Sequence, residues 1–175
     1  FLTGILALGI LFNTSQIMKD WFRVNPLSYI LNKETREQFL SRQIKVYPSY
    51  DDVNKLLTKN DKVLMVYTMN LGYLMDRPFL SDTFFESHTL SEIIDKGVYA
   101  ADIINRLKAR GITHILFDFN RVFGKDSALT LGERAILKNF LKKHGEQLSA
   151  KNGFLLYRFM LDSDAKQTKL MPLIH

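Results

Sequence analysis

Residues able to support catalysis or to bind a metal ion are few in this chain, and they are far apart in the sequence. No G-x-G-x-x-G loop follows an apolar segment, and Gly-Lys-Asp-Ser at positions 124–127 lacks the earlier glycine of a phosphate-binding loop. The four histidines include no pair at helical metal-site spacing, and the absence of cysteine excludes disulfides, thiolate metal sites and a cysteine nucleophile. We expect a surface turn at 124–127. We also expect His114, at the start of a buried strand, to hydrogen-bond to the backbone.

A more specific pattern is Ile-Leu-Phe-Asp-Phe-Asn at positions 115–120, where a hydrophobic segment ends in Asp118. It resembles the first motif of haloacid-dehalogenase-type phosphatases, in which the first aspartate is the nucleophile and the second is the general acid. The second position here is Asn120, which cannot donate and retrieve a proton as a carboxyl group does. We therefore expect Asp118 to cap or hydrogen-bond at the carboxyl end of its strand. Because open α/β sheets bind ligands at that end, Asp118 and Arg121 are ligand candidates.

The composition is that of an ordered, basic protein of 175 residues, with a net charge of +6 and a pI of about 9.5. A charged fraction of 24% and an aromatic fraction of 12% exclude wholesale disorder. The basic residues are spread along the chain and are not interleaved with aromatics as in nucleic-acid-binding modules. We expect a solvated basic face, or contact with anionic lipid headgroups or lipid-linked phosphates, and no nucleic-acid partner.

The most hydrophobic segment is residues 1–12, which contain no charged residue. As a helix, this segment would rise about 18 Å. It is too short to span a bilayer core of about 30 Å by itself. Because Trp21, Phe22 and Arg23 follow as an aromatic and basic anchor, we expect residues 1–22 to be the end of a transmembrane helix and its interfacial exit. The alternative is a buried core helix of a soluble protein. A soluble α/β domain is predicted over residues 23–161 and a tail over residues 162–175.

Capping-box spacings and helical periodicity predict the helices of this domain. A polar helix is expected over residues 32–42, a second after Ser49, a third over 89–110 with a break at Gly97, and a fourth after Thr130. Gly111 is at the position where a glycine commonly ends a helix. The residues that the second and fourth helices are expected to bury are Tyr50, Val53, Leu56, Leu57, Leu131, Leu137, Phe140 and Leu141.

Apolar, β-branched segments predict buried strands over residues 62–68 and 112–119. A further strand is expected over residues 71–80, ended by Arg77 and Pro78, because proline cannot donate to a central ladder. Asn152-Gly153 between two short segments is a strong hairpin signal. The order of elements predicts the α/β class: a three-layer sandwich with a mostly parallel sheet and a C-terminal antiparallel hairpin, preceded by the end of a transmembrane helix.

Seven segments, taken in order, resemble a known family. They are residues 23–29 (RVNPLSY), 34–42 (ETREQFLSR), 50–54, 62–65, 72–78 (GYLMDRP), 107–116 (LKARGITHIL) and 153–157 (GFLLY). This succession resembles the C-terminal tail of bacterial multi-pass membrane glycosyltransferases of the dolichyl-phosphate-mannose–protein mannosyltransferase type, in the GT-C fold class. In that family the last transmembrane helix leads into a PL-x-Y…E-x-R-E-x-[FY]-L stretch and then into a small α/β domain.

The resemblance implies a domain on the extracytoplasmic side of the cell membrane, periplasmic or extracellular. It implies a parent protein that uses a polyprenyl-phosphate-linked sugar and whose catalytic carboxylates lie in the membrane part. No catalytic, cofactor-binding or metal-binding residue is therefore assigned in this chain, which is expected to catalyse nothing alone. The partners implied are its own transmembrane domain, the membrane surface and a lipid-linked glycan.

The candidate residues for ligand or interface contacts are Tyr73, Asp76 and Arg77, just before Pro78, together with Asp118 and Arg121. In the membrane protein they would help to shape access of the acceptor. Two alternatives stay open. One is a binding or scaffolding module for anionic headgroups or glycans, and the other is a phosphatase-like enzyme centred on Asp118.

Overall fold

The computed structural model describes residues 2–69, 71–81, 87–95 and 99–160. The chain divides into two compact units, with the boundary between Lys45 and Val46. The predicted tail over residues 162–175 and the predicted helix break at Gly97 lie outside the described residues. The domain boundaries predicted after residues 22 and 161 stay predictions.

The first unit begins with a long helix, α1 (Leu2–Val24), followed by α2 (Pro26–Ile30) and α3 (Arg36–Gln43). Helix α1 covers almost all of residues 1–22, the segment predicted to be the end of a transmembrane helix and its interfacial exit. Large apolar side chains are exposed along it, among them Ile5, Leu8 and Phe12. In the part of the chain that the structure describes, no helix is both long enough and apolar enough to cross a membrane.

Side chains of α3 hold the turn at which the chain leaves α1. Asn25 adopts a left-handed conformation, with φ of 45°. Arg42 donates from Nη1 to the carbonyl oxygen of Val24 at 2.8 Å and forms an ion pair with Glu34 at 2.7 Å. Gln43 donates to the same carbonyl oxygen at 2.9 Å. The end of α1 thereby gains side-chain donors for a carbonyl group that has no partner within the helix.

The second unit is built on a five-stranded sheet with the order β2-β1-β3-β5-β4. The strands are β1 (Val63–Val66), β2 (Phe79–Ser81), β3 (His114–Asp118), β4 (Gly145–Lys151) and β5 (Phe154–Phe159). Strand β1 is parallel to β2 and β3, whereas β5 is antiparallel to β3 and β4. The α/β class and the C-terminal hairpin are confirmed. The sheet is mixed, because β5 is inserted between β3 and β4 and runs antiparallel to both.

Helices of the second unit pack on this sheet. They are α4 (Tyr47–Leu56), α5 (His88–Asp95), α6 (Ala100–Ala109), α7 (Phe119–Phe123) and α8 (Leu131–His144). Leu64 and Val66 on β1 and Phe117 on β3 join the buried faces of α5, α6 and α8 in one apolar cluster. Helix α4 packs against β4 and β5. All of β1 is buried, as is typical of a strand in the middle of a sheet.

Several local predictions are confirmed. Thr130 and Glu133 form a reciprocal capping box at the start of α8. Gly111, with φ of 67°, ends α6, and the Ile112 amide donates back to the Leu107 carbonyl oxygen at 2.9 Å, as in a Schellman motif. The turn between β4 and β5 lies at residues 152–153, where both φ angles are positive.

Two predictions that involve proline are wrong. Helix α4 begins at Tyr47 with Pro48 in its first turn, where the missing amide costs no helical hydrogen bond, so Ser49 lies inside the helix and is not its N-cap. Pro78 precedes β2 and does not end a strand. Residues 71–80 form a short 3-10 helix, Gly72–Leu74, and then enter β2.

Two leucines predicted to be buried are exposed. Leu131 is 78% exposed because it is the first residue of α8, before the helix covers the sheet, and Leu56 is 51% exposed at the last residue of α4. Tyr50, Val53 and Leu57 of the same predicted face are buried. The helical period was therefore correct, and the error lies at the helix ends.

A buried histidine lies at the amino end of β3. His114 is 1% exposed, and its Nδ1 lies 2.7 Å from the Thr113 hydroxyl oxygen and 3.7 Å from Oδ1 of Asp61. The imidazole Nδ1 of His114 therefore has a side-chain partner and not the backbone partner that was predicted. Burial lowers the pKa of His114 below the ordinary value of 6.5, and the Asp61 carboxylate offsets only part of this effect. Burial also lowers the pKa of His144, with a further contribution from Lys143.

The free energy of unfolding is expected to fall as the pH drops below about 6.5, because an unfolded histidine then binds a proton that the folded protein resists. Above that pH the histidine contribution is fully present. Urea unfolding at pH 7.5, 6.5 and 5.5 measures the effect. His114→Gln and His144→Gln should each flatten the dependence, whereas His88→Gln, at an exposed histidine, should leave it unchanged. Equal pH slopes in all four proteins would contradict this account.

Candidate functional site

Polar residues gather at the carboxyl end of the central parallel strands. Val66, the last residue of β1, pairs with Phe117, and Asp118 follows as the last residue of β3. Helix α7 starts at once after Asp118, whose Oδ1 accepts hydrogen bonds from the backbone amides of Asn120 at 2.9 Å and Arg121 at 3.1 Å. Asp118 is therefore an N-cap, the role predicted for it.

Helix α7 places Arg121 beside the end of β1. The guanidinium carbon of Arg121 lies 5.8 Å from the centre of the Tyr67 ring, within the range of a cation–π interaction. Tyr67, Asn120, Arg121 and Asp126 line an open cleft of about 380 Å³, which we call the polar cleft. Neither Arg121 nor Asp126 forms an ion pair with another described residue.

The backbone is strained where β1 reaches the polar cleft. Tyr67 and Met69 have φ angles of 56° and 65°, in a region that residues with side chains rarely adopt. The Tyr50 hydroxyl donates to the Thr68 carbonyl oxygen at 2.6 Å, and the Tyr67 hydroxyl bonds to that of Ser87 at 3.0 Å. Such strain costs about 1–3 kcal/mol per residue and persists only where the surroundings impose it, which is frequent at ligand sites.

These groups can recognise a planar or anionic group. Arg121 offers guanidinium donors beside an aromatic face, Asn120 offers an amide donor and acceptor, and the Asp126 carboxylate can accept from hydroxyl groups. Within the described ranges, no cluster of three or more acidic and histidine side chains could hold a metal ion.

The other predicted site residues lie at the opposite end of the parallel strands, since β2 starts beside the first residue of β1. Arg77 donates to the carbonyl oxygens of Leu57 at 2.7 Å and Asn54 at 2.5 Å, and so caps the C-terminal end of α4. The Asp76 amide donates to Oδ1 of Asn54 at 2.8 Å, and Tyr73 is 76% exposed. The structure therefore brings Asp118 and Arg121 together and separates them from Tyr73, Asp76 and Arg77.

Three of the residues that line the polar cleft, Tyr67, Asn120 and Asp126, are absent from the predicted ligand candidates. Tyr67 was expected to lie inside a strand over residues 62–68, but β1 ends at Val66 and the chain turns at Tyr67. Asp126 lies in the turn predicted at residues 124–127. A search of the residues that directly follow each buried strand would have found Tyr67. No sequence signal marks Asp126.

Comparisons with protein families, curated proteins and solved structures found no match to this chain. The resemblance to membrane glycosyltransferases therefore stays a prediction from the sequence. The polar cleft is defined by its own geometry.

Asp118→Ala is expected to lower the free energy of unfolding by about 1 kcal/mol, because the two amides at the start of α7 lose their acceptor. Asp118→Asn retains an acceptor oxygen and should be close to wild type. Urea unfolding measures both, with Asp126→Ala as the control at an exposed aspartate nearby. If Asp118→Asn were as destabilising as Asp118→Ala, the charge and not the cap would be the important property.

Proposed function

We propose that this chain is the extracytoplasmic C-terminal domain of a polytopic membrane glycosyltransferase that uses a polyprenyl-phosphate-linked sugar. The main observation in support of the proposal is the exposed apolar surface of α1. Ile5, Leu8 and Phe12 are 55%, 68% and 65% exposed, and no charged residue occurs in the first 12 positions. A helix with this much exposed apolar surface needs a cover, and a membrane or a membrane domain provides one.

The second half of α1 has the composition of a membrane interface. Lys19, Asp20, Trp21 and Arg23 lie in its last turns, and Trp21 is 46% exposed. Tryptophan and basic residues are enriched where a helix leaves the hydrocarbon core. In this proposal the first half of α1 is the end of a transmembrane helix, and Trp21 lies at the level of the headgroups.

In this proposal the second unit has no catalytic role of its own. Its sheet lies between α4 on one face and α5, α6 and α8 on the other, a three-layer arrangement in keeping with the complete burial of β1. The polar cleft, with Arg121, helps to shape access of the acceptor to the membrane domain. The net charge of +6 suits a surface near anionic headgroups.

Adding phosphatidylcholine vesicles to the full chain is expected to shift the fluorescence emission of Trp21, the only tryptophan, to shorter wavelength. The double variant Leu8→Ser/Leu11→Ser should weaken vesicle binding more than 100-fold, since each buried leucine contributes about 1.5–3 kcal/mol. The matched control is Leu56→Ser/Met160→Ser, at two exposed apolar residues of the second unit. Vesicle binding that requires anionic lipid and is the same for the α1 variant and the wild type would favour the headgroup-binding module instead.

The location of the domain can be tested by cysteine labelling, because this chain contains no cysteine. Lys108→Cys, on the exposed side of α6, is introduced into the complete gene product in its own cells. A membrane-impermeant maleimide is expected to label it in spheroplasts before lysis, with the protein lacking Lys108→Cys as background. Labelling only after lysis would place the domain on the cytoplasmic side and contradict the proposal.

A further inference from the structure

A second and larger cavity lies between α8 and the sheet. It has a volume of about 740 Å³, and its walls are mainly apolar and aromatic side chains of β3, α7, α8 and β5. Phe117, Phe123, Leu141, Leu155 and Tyr157 form its floor and inner walls. We call this cavity the α8 groove. Its volume is within the range of about 300–1,000 Å³ that is typical of small-molecule sites.

Ring contacts give the α8 groove a defined shape. The Phe117 ring meets that of Phe123 edge-on at 5.9 Å and stacks on that of Tyr157 at 6.1 Å, while Phe119 lies 5.4 Å from Phe123. The Tyr157 hydroxyl donates to Oε1 of Gln147 at 2.9 Å, at the β4 side of the opening. Aromatic rings therefore form much of the lining, and Tyr157 and Gln147 add a hydrogen-bonded polar pair.

The opening of the α8 groove carries positive charge. Arg134, Lys138 and Lys142 line it and are four residues apart, so they form one row along α8. Arg134 donates to the Gly124 carbonyl oxygen at 2.8 Å, whereas Lys138 and Lys142 are exposed and form no ion pair with any residue in the described ranges. Among the residues that the structure describes, no acidic side chain lines the groove. The ammonium groups of Lys138 and Lys142 are therefore without an acidic partner among the described residues, next to an apolar surface.

We infer that the α8 groove binds an anionic amphiphile: a single hydrocarbon chain that lies on the aromatic floor, with a phosphate monoester head between Lys138 and Lys142. A phosphate monoester carries about −1.5 to −2 at neutral pH, which matches the two unpaired lysines better than a carboxylate does. The site does not require the parent to be a transferase. All of its lining residues belong to the second unit, whereas α1 belongs to the first.

Decyl phosphate below its micelle concentration is the probe, titrated calorimetrically into the full chain at physiological salt. Lys138→Glu/Lys142→Glu should weaken binding tenfold or more, because repulsion replaces attraction at the head. The matched control, Lys108→Glu/Lys143→Glu, changes the same charge at exposed lysines that do not line the groove and should stay within twofold of wild type. Removal of each methylene group that contacts the groove should weaken binding about fourfold.

The apolar wall is tested separately. Leu131→Gln, at an exposed leucine of the groove, should weaken binding of decyl phosphate severalfold, whereas Leu56→Gln, at an exposed leucine outside it, should not. Leu8→Ser/Leu11→Ser should bind decyl phosphate as wild type does. If only this α1 variant lost the probe, binding would belong to α1 and the inference about the groove would be wrong, while the membrane proposal would stand.

Other occupants give different results. Binding of inorganic phosphate as tight as that of decyl phosphate would show an anion site without a lipid chain. Equally tight binding of decyl maltoside would show that the lysines are irrelevant. Self-association at the groove, or preference for an acidic amphipathic peptide, would indicate a protein partner. Each of these outcomes overturns the inference.

Discussion

The carboxylate of Asp118 fixes the turn on which both cavities depend. By accepting from the amides of Asn120 and Arg121, it allows a helix to begin directly after a buried central strand, without a connecting loop. The short helix α7 then presents opposite surfaces to the two sites. Arg121 faces the ring of Tyr67 in the polar cleft, and Phe123 meets Phe117 in the α8 groove. The Asp118 cap thus orients residues of both the polar cleft and the α8 groove. This structural role accounts for an aspartate at position 118 without a nucleophilic function.

The contacts of the arginine side chains show that only part of the net charge of +6 is available to an external ligand. Arg42, Arg77, Arg106 and Arg134 each donate to backbone carbonyl oxygens at chain turns or helix ends. Their charge is partly used to satisfy carbonyl groups that a helix leaves without partners. The cations that remain for an external anion in the second unit include Arg121 in the polar cleft and the lysine row of α8. A ligand is therefore expected at these places and not over the basic surface as a whole.

Local sequence rules predicted those parts of the fold that depend on nearby residues. The capping box at Thr130, the glycine after α6, the hairpin at residues 152–153 and the cap at Asp118 need only a few consecutive residues, and all are present. Long-range pairing decided the rest. Nothing local shows that β5 inserts beside β3, that Arg77 reaches α4, or that Tyr67 turns with positive φ under a hydrogen bond from Tyr50 to Thr68. For this reason only Arg121, among the four residues that line the polar cleft, was predicted as a ligand candidate, and the α8 groove, assembled from five elements, was not predicted.

The most direct test of this account is amide hydrogen exchange at the start of α7, measured residue by residue by NMR. In the wild-type protein, the amides of Asn120 and Arg121 are predicted to exchange slowly, because both donate to Asp118. Replacing the carboxylate with alanine should release these two amides while those in the middle of β3 stay protected. If the amides of Asn120 and Arg121 already exchange in the wild type at the rate of an unfolded chain, the cap does not organise this region and the account is contradicted.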